Sequence, residues 1–211
     1  MKFRHLVWIL PSLVMLPVAA CSSTTSGTNG TGGTSSGGDC KTITCNAIDY
    51  TNLDPTPVSF KDDIFTPIIR PTCNSSSCHG LTVAQGTADL PGARLYLGPI
   101  SADTITPIDD NLMATINAEL VGNAHTAPSL KIAAAGDPAH SFMLLKLTGC
   151  QNSQGLSCTL QSADLSETKS ACGDTMPPSC YTQMSEGTVV PPTTAQLTII
   201  ARWIAQGAKN N

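Results

Sequence analysis

The sequence predicts a mostly helical domain with long irregular connections, disulfides, and a polar tether in front. Apolar residues recur at helical spacing in several short stretches, whereas almost no stretch alternates with period two over five or more residues. The 17 glycines and 15 prolines interrupt these stretches and predict long connections. Nine cysteines in 211 residues are too many for a reducing cytosol unless they hold a metal or cofactor, so they favour an exported protein.

Composition excludes two classes of protein. Lys and Arg number 11 against 15 Asp and Glu, which gives a net charge of −4. No basic patch is therefore available to neutralise phosphates, and nucleic acid is not an expected partner. No internal apolar run approaches the roughly 18 residues that a membrane span needs.

Residues 1–20 predict an export signal. Lys2 and Arg4 provide a positive start, and a short apolar core follows. The run Val18-Ala-Ala-Cys21 resembles the lipobox of bacterial lipoproteins, which implies that Cys21 receives a lipid and anchors the chain to a membrane. The alternative is an ordinary secretory signal followed by a coincidental cysteine. Ser22 after the cysteine favours the outer membrane, so the expected location is the cell envelope, on its periplasmic or surface face.

Residues 21–45 predict a flexible tether. Within it, residues 22–39 are rich in Ser, Gly and Thr and offer no apolar surface to bury. The folded domain is therefore expected over residues 46–211.

The first expected helix begins near Ser59, which is placed to cap the amide of Asp62. Pro67 and Pro71 are expected to kink or end this helix. A middle helix is expected over Asp110 to Leu120, with Gly122 as its stop.

Two further helices are expected towards the C-terminus. Asp137-Pro138 predicts the start of a helix that runs through Leu147 and stops at Gly149. Thr193 and Gln196 form a capping box for the last helix, which Gly207 ends.

The sharpest motif is Cys73-x4-Cys78-His79. Two thiols followed directly by an imidazole are what covalent haem attachment requires, although the usual motif has two residues between the cysteines. Three alternatives remain open: a plain disulfide between the two cysteines, part of a zinc site, or a catalytic thiol.

The second motif is Met176-Pro-Pro. A methionine thioether is a soft ligand for haem iron, and the prolines would stiffen its loop. The alternative interpretation is that Met176 is a core or turn residue with no ligand role. His140 and Met143 lie in an apolar helical stretch where a core role is expected, and His125 in a surface loop. The other candidate ligands are thus His125, His140, Met143 and Met184.

Six cysteines remain once Cys21, Cys73 and Cys78 are set aside, and they allow 15 pairings. The even remainder suits disulfides, although it also fits a Cys73–Cys78 bridge. Neighbours in sequence give the simplest expectation: Cys40–Cys45, Cys150–Cys158 and Cys172–Cys180.

Taken in order, these motifs resemble the c-type cytochrome domains of exported, often lipid-anchored proteins of myxobacteria and planctomycetes. Four blocks carry the resemblance: Phe60 to Ile69, Cys73 to Gly80, Gly136 to Gly149, and Met176-Pro-Pro followed by Leu197 to Ala208. The resemblance implies a cytochrome c-like fold in which the first and last helices cross. It also implies one covalent haem c, held by thioethers to Cys73 and Cys78 and by His79 and Met176 as axial ligands.

The function implied is one-electron transfer to redox proteins of the envelope by a carrier that is not an enzyme. Two alternatives stay open. One is a haem enzyme or sensor with an open axial position, for which peroxidase-like activity is not excluded. The other is a haem-free, disulfide-stapled lipoprotein that acts as a binding module.

Overall fold

The computed structural model describes residues 45–75, 78–80, 95–100, 103, 105–158, 172, 175–177 and 190–211. The predicted signal peptide, Cys21 and almost all of the predicted tether lie outside these residues. Within them the chain is helical and has no strand; a single antiparallel bridge joins Asn123 and Lys131. The predicted helical class with long irregular connections is confirmed for this part of the chain. In these residues no helix is long and apolar enough to cross a membrane.

The first helix is wound as a π-helix over Phe60–Ile69 and continues as one α-helical turn over Arg70–Cys73. The predicted cap is confirmed, because the Ser59 side chain accepts a hydrogen bond from the amide of Asp62 at 3.2 Å. Neither proline ends this helix, so that part of the expected kink or end is wrong. Pro67 lies inside the π-helix, where the wider turn leaves room for a ring without an N–H, and Pro71 lies in the first turn of the α-helical part.

The middle helix spans Asp110–Leu120, as predicted. Asp109 caps it by accepting from the amide of Leu112 at 2.8 Å, and Gly122 closes it with a bond to the carbonyl of Glu119. Its inward side chains are all fully buried: Met113, Ile116 and Leu120.

The third predicted helix is divided into a 3-10 turn, Pro138–His140, and a short α-helix, Phe142–Leu147. Ser141 separates them in an extended conformation. Its buried hydroxyl donates to the carbonyl of Asp137 at 2.9 Å and accepts from the amide of Ala134 at 2.8 Å. These two bonds hold the main chain outside helical geometry, which apolar spacing does not reveal.

The last helix spans Thr194–Ala205, and the predicted capping box of Thr193 and Gln196 is present. Gly207 ends it at φ +100°, a conformation that favours glycine. Trp203 is buried and stacks on Phe60 of the first helix, with the ring centroids 5.2 Å apart. The first and last helices therefore pack against each other.

The core is shared by the first, middle and last helices and by the short helix Phe142–Leu147. Its largest fully buried side chains are Trp203, Phe60, Phe65, Ile64, Ile68, Ile69, Met113, Ile116, Leu120, Leu144, Ile200 and Ile204. Burial of each such side chain stabilises the fold by about 1.5–3 kcal/mol.

Two disulfides join pairs of described cysteines, Cys45–Cys150 and Cys158–Cys172. All three predicted pairings are therefore wrong, namely Cys40–Cys45, Cys150–Cys158 and Cys172–Cys180. Neighbours in sequence are not neighbours in this fold, because the amide of Asn46 bonds to the carbonyl of Thr148 at 3.0 Å and brings Cys45 to Cys150. Cys40 and Cys180 lie outside the described residues.

Candidate functional site

The chain turns back on itself directly after the first helix, in a segment that we name the Cys/His turn (Cys73 to Ser75 and Cys78 to Gly80). The amide of His79 donates to the carbonyl of Cys73 at 3.1 Å. The amides of Cys78 and Gly80 both donate to the carbonyl of Ser75, at 3.1 and 3.0 Å. The three motif residues Cys73, Cys78 and His79 are thus brought together by the main chain itself.

A second segment, residues 95–100, lies against the Cys/His turn. The amide of Leu97 donates to the carbonyl of His79 at 3.0 Å. The buried side chain of Asn74 donates to the carbonyls of Leu97 at 2.6 Å and Pro99 at 3.3 Å. A residue inside the motif therefore fixes the position of a segment more than twenty positions away.

The same close approach explains Gly80. A Cβ atom there would lie 2.6 Å from Cγ2 of Ile100 and 2.7 Å from the carbonyl oxygen of Asn74. Real Cβ contacts are essentially never shorter than 3.0 Å, so only glycine fits between the two segments.

The imidazole of His79 is oriented by a main-chain carbonyl. Its Nδ1 lies 2.9 Å from the carbonyl oxygen of Leu95. Because a carbonyl oxygen only accepts, Nδ1 carries the proton and donates it. Burial lowers the pKa of His79, the bond to Leu95 opposes that shift, and the charge of Lys146 lowers the pKa further. The net lowering keeps the ring neutral at pH 7, with the lone pair of Nε2 available to a ligand.

Cys73 is a free, half-buried thiol at the end of the first helix. Burial raises the pKa of this thiol to about 12, so it stays protonated at neutral pH. A nucleophilic cysteine needs the opposite shift, towards the thiolate. The described environment of Cys73 therefore does not support the catalytic-thiol alternative.

Cys78 is disulfide-bonded, and Cys73 is not its partner because the Cys73 thiol is free. The alternative of a plain Cys73–Cys78 disulfide is therefore wrong. A thioether at Cys78 requires its sulfur to be reduced, so attachment of a haem there excludes this disulfide.

Met176 is half-buried and is tied to the short helix through Lys146. The amide of Met176 donates to the carbonyl of Lys146 at 3.1 Å. Nζ of Lys146 donates to the carbonyl of Cys172 at 3.0 Å and lies 5.9 Å from the centroid of the Phe142 ring. Lys146 itself is only 9% exposed. It therefore holds two points of the C-terminal connection and also acts electrostatically on His79.

Three of the other four candidate ligands lie within the described residues. His125 is exposed, as expected of a surface loop. The expected core role of His140 is wrong, because its side chain is 74% exposed and its Nδ1 lies 2.7 Å from a carboxylate oxygen of Asp137. Met143 packs against the core, as expected, and Met184 lies outside the described residues. In the described ranges no three His, Cys, Asp or Glu side chains form a group that could hold a metal ion.

Sequence reasoning missed three residues that shape the site. Lys146 had a signal, since it is a charged residue within the apolar stretch Phe142–Leu147. The sequence signal for Asn74 was weak, namely a short polar side chain next to the first motif cysteine. Leu95 had none, because it contributes only its carbonyl oxygen.

Comparison of the chain with models of known families, with curated proteins and with solved structures finds no match.

Proposed function

We propose that the chain is a monohaem c-type cytochrome that transfers single electrons in the cell envelope. The observation that supports this most directly is the bond from Nδ1 of His79 to the carbonyl of Leu95. Histidines that bind metals almost always donate their other ring nitrogen to such a partner, which fixes the tautomer and leaves Nε2 as the ligand atom.

The residues near His79 suit the same role. Cys73 is a reduced thiol one short turn away and would carry one thioether, and Cys78 would carry the other. Met176 would supply the second axial ligand, and its main chain is held by the carbonyl of Lys146. When bound, haem c would supply a reversible change of one electron at iron.

The two proposed axial ligands favour an electron carrier over an enzyme. If His79 and Met176 fill both axial positions, no coordination position remains for a substrate. The proposed activity is then outer-sphere electron exchange with redox proteins met through small, transient contacts. Neutral sulfur ligation and a partly buried site both favour the less charged ferrous state.

The proposal includes a location in the cell. Residues 1–20 would direct export, Cys21 would carry a lipid, and residues 21–45 would tether the domain to a membrane of the envelope, on its periplasmic or surface face. The outer membrane is the proposed location, on the basis of Ser22.

A second candidate function rests on one specific observation. Cys78 is disulfide-bonded, and that state favours a haem-free, disulfide-stapled lipoprotein that binds a partner at the cell surface. The cytochrome requires the sulfur of Cys78 in a thioether, whereas the haem-free lipoprotein has it in a disulfide. One measurement of its state therefore separates the two candidates.

The test is to express the full chain in a host whose periplasm matures c-type cytochromes and to record a pyridine haemochrome spectrum. The proposal expects one haem per chain and a band position typical of two thioethers. Cys78→Ala is expected to shift the band to the one-thioether position. Colourless protein in which peptide mapping finds Cys78 in a disulfide would overturn the cytochrome and favour the binding module.

Met176→Ala then tests the axial ligand in the haem-bearing protein. We expect covalent haem to persist while the visible and EPR signatures of methionine ligation disappear. Met143→Ala is the matched control, since Met143 packs against the core and should leave those signatures in place. Carbon monoxide binding to the reduced wild-type protein would instead indicate an open axial position and a haem enzyme or sensor.

A further inference from the structure

Lys146 is a buried cation that is bonded to the C-terminal side of the proposed site. Lysine is almost never fully buried unless it is paired, and Lys146 is 9% exposed. Desolvating an ammonium group costs several kcal/mol, so the contacts that this group makes must offset that cost.

The contacts of Lys146 point towards the C-terminal connection. Its Nζ donates to the carbonyl of Cys172 at 3.0 Å, and its own carbonyl accepts from the amide of Met176 at 3.1 Å. One residue thus holds both Cys172 and Met176. Because Cys172 is also bonded to Cys158, it is anchored to one further part of the chain.

Lys146 also interacts electrostatically with the Cys/His turn, because its charge lowers the pKa of His79. The Phe142 ring lies 5.9 Å from Nζ and covers the apolar side of the ammonium group.

We propose that Lys146 is the positioning residue that holds the Met176 segment (residues 175–177) in place for axial ligation. This inference rests on the proposed haem function and adds to it a residue that sets the ligation of the iron. The bond to the Cys172 carbonyl and the bond to the Met176 amide carry this role, and the potential of the site follows the ligation.

The experiment compares Lys146→Met, Lys146→Arg and the control Lys131→Met in the full chain. Methionine keeps the length and apolar stem of lysine but removes the donor and the charge. Lys131 is exposed, so the same change there should have no effect on the site. Arginine keeps the charge and can still donate to the Cys172 carbonyl.

In haem-bearing protein we expect Lys146→Met to lower the midpoint potential and to reduce the fraction of molecules with a methionine-ligation spectrum. Covalent haem content per chain should stay at the wild-type level. Lys146→Arg should restore both properties in part. A Lys146→Met protein with the potential and spectrum of Lys131→Met would overturn the inference while leaving the proposed function intact.

A second readout does not depend on haem. Loss of a hydrogen bond from a charged donor is expected to speed hydrogen exchange at the Met176 amide by roughly tenfold. If the wild-type chain carries no haem, the proposed function fails, and the exchange rate alone decides whether Lys146 positions Met176. Unchanged exchange in Lys146→Met would overturn the positioning role. If Lys146→Met does not fold, Lys146→Gln applies the same criteria, because glutamine lacks the charge and is too short to reach the Cys172 carbonyl in the same way.

Discussion

The helical core and the candidate site are held together by different kinds of interaction. The core joins the first, middle and last helices through apolar side chains such as Phe60 and Trp203. The site joins segments distant in sequence through side chains that bond to main-chain carbonyls, as His79 does to Leu95. Burial provides most of the stability of a fold, whereas a few polar bonds fix geometry. The contrast implies that the site can be loosened without unfolding the core.

The largest expected effect follows from removal of the Cys45–Cys150 disulfide. Replacing Cys45 and Cys150 together by alanine should lower the free energy of unfolding by about 4.7 kcal/mol, since the bridge spans 105 residues. Replacing Cys158 and Cys172 together, which span 14 residues, should cost about 3 kcal/mol. Urea unfolding of oxidised protein measures both, and a larger loss from the shorter loop would contradict this ordering.

Trp203→Ala tests the core directly. Trp203 is 1% exposed, stacks on Phe60 and donates from its indole nitrogen to the carbonyl of Lys209 at 2.9 Å. Its truncation should lower the free energy of unfolding by about 4 kcal/mol. Ile105→Ala is the control, because Ile105 is 89% exposed and its loss should change stability little. Equal effects of the two substitutions in thermal unfolding would refute the assignment of Trp203 to the core.

Asn74→Ala tests the site. The substitution removes two buried bonds, to the carbonyls of Leu97 and Pro99, and should cost about 2 kcal/mol. We expect hydrogen exchange to accelerate at the amide of Leu97, while the amides of the last helix keep their protection relative to global unfolding. Asn52→Ala, at an exposed position, provides the matched control. Uniform acceleration across the last helix would show that site and core unfold together.

The smallest expected effect is a dependence of stability on pH that arises from His79. Burial, the largest cause, lowers its pKa from the usual 6.5, so below that value the unfolded chain binds a proton that the folded chain does not. Stability should therefore fall as the pH drops below about 6.5, by at most about 1.4 kcal/mol per pH unit, until the folded pKa is reached. Denaturation series of haem-free protein at pH 7 and pH 5.5 measure the slope, because a bound haem would occupy Nε2 of His79. His79→Gln should flatten the slope, and an unchanged slope in that variant would contradict the assignment.

The sequence predicted the core far better than the site. The middle helix has the predicted bounds, and the capping box of Thr193 and Gln196 is where it was expected. These features are local, because helical spacing and caps involve residues three or four positions apart. The π-helix around Pro67 and the break at Ser141 were missed, since each depends on how a turn accommodates one particular side chain.

The site shows why sequence patterns predict local features but not contacts between distant segments. The motif of Cys73, Cys78 and His79 was found, because its members are neighbours in sequence. The Leu95 carbonyl was not found, since any residue would provide the same oxygen atom. The disulfide pairings failed for the same reason: the partner of Cys45 is 105 positions away and is chosen by the fold.

The Cys45–Cys150 bridge also decides how mechanical force would enter the domain. A pull on the chain before Cys45 passes through the sulfur atoms to Cys150, next to the short helix Phe142–Leu147, before it reaches Phe60. Residues 46–59 would then lie outside the covalent path by which the load enters the domain. A molecule pulled from its N-terminal side would therefore be loaded first beside the helix that contains Lys146.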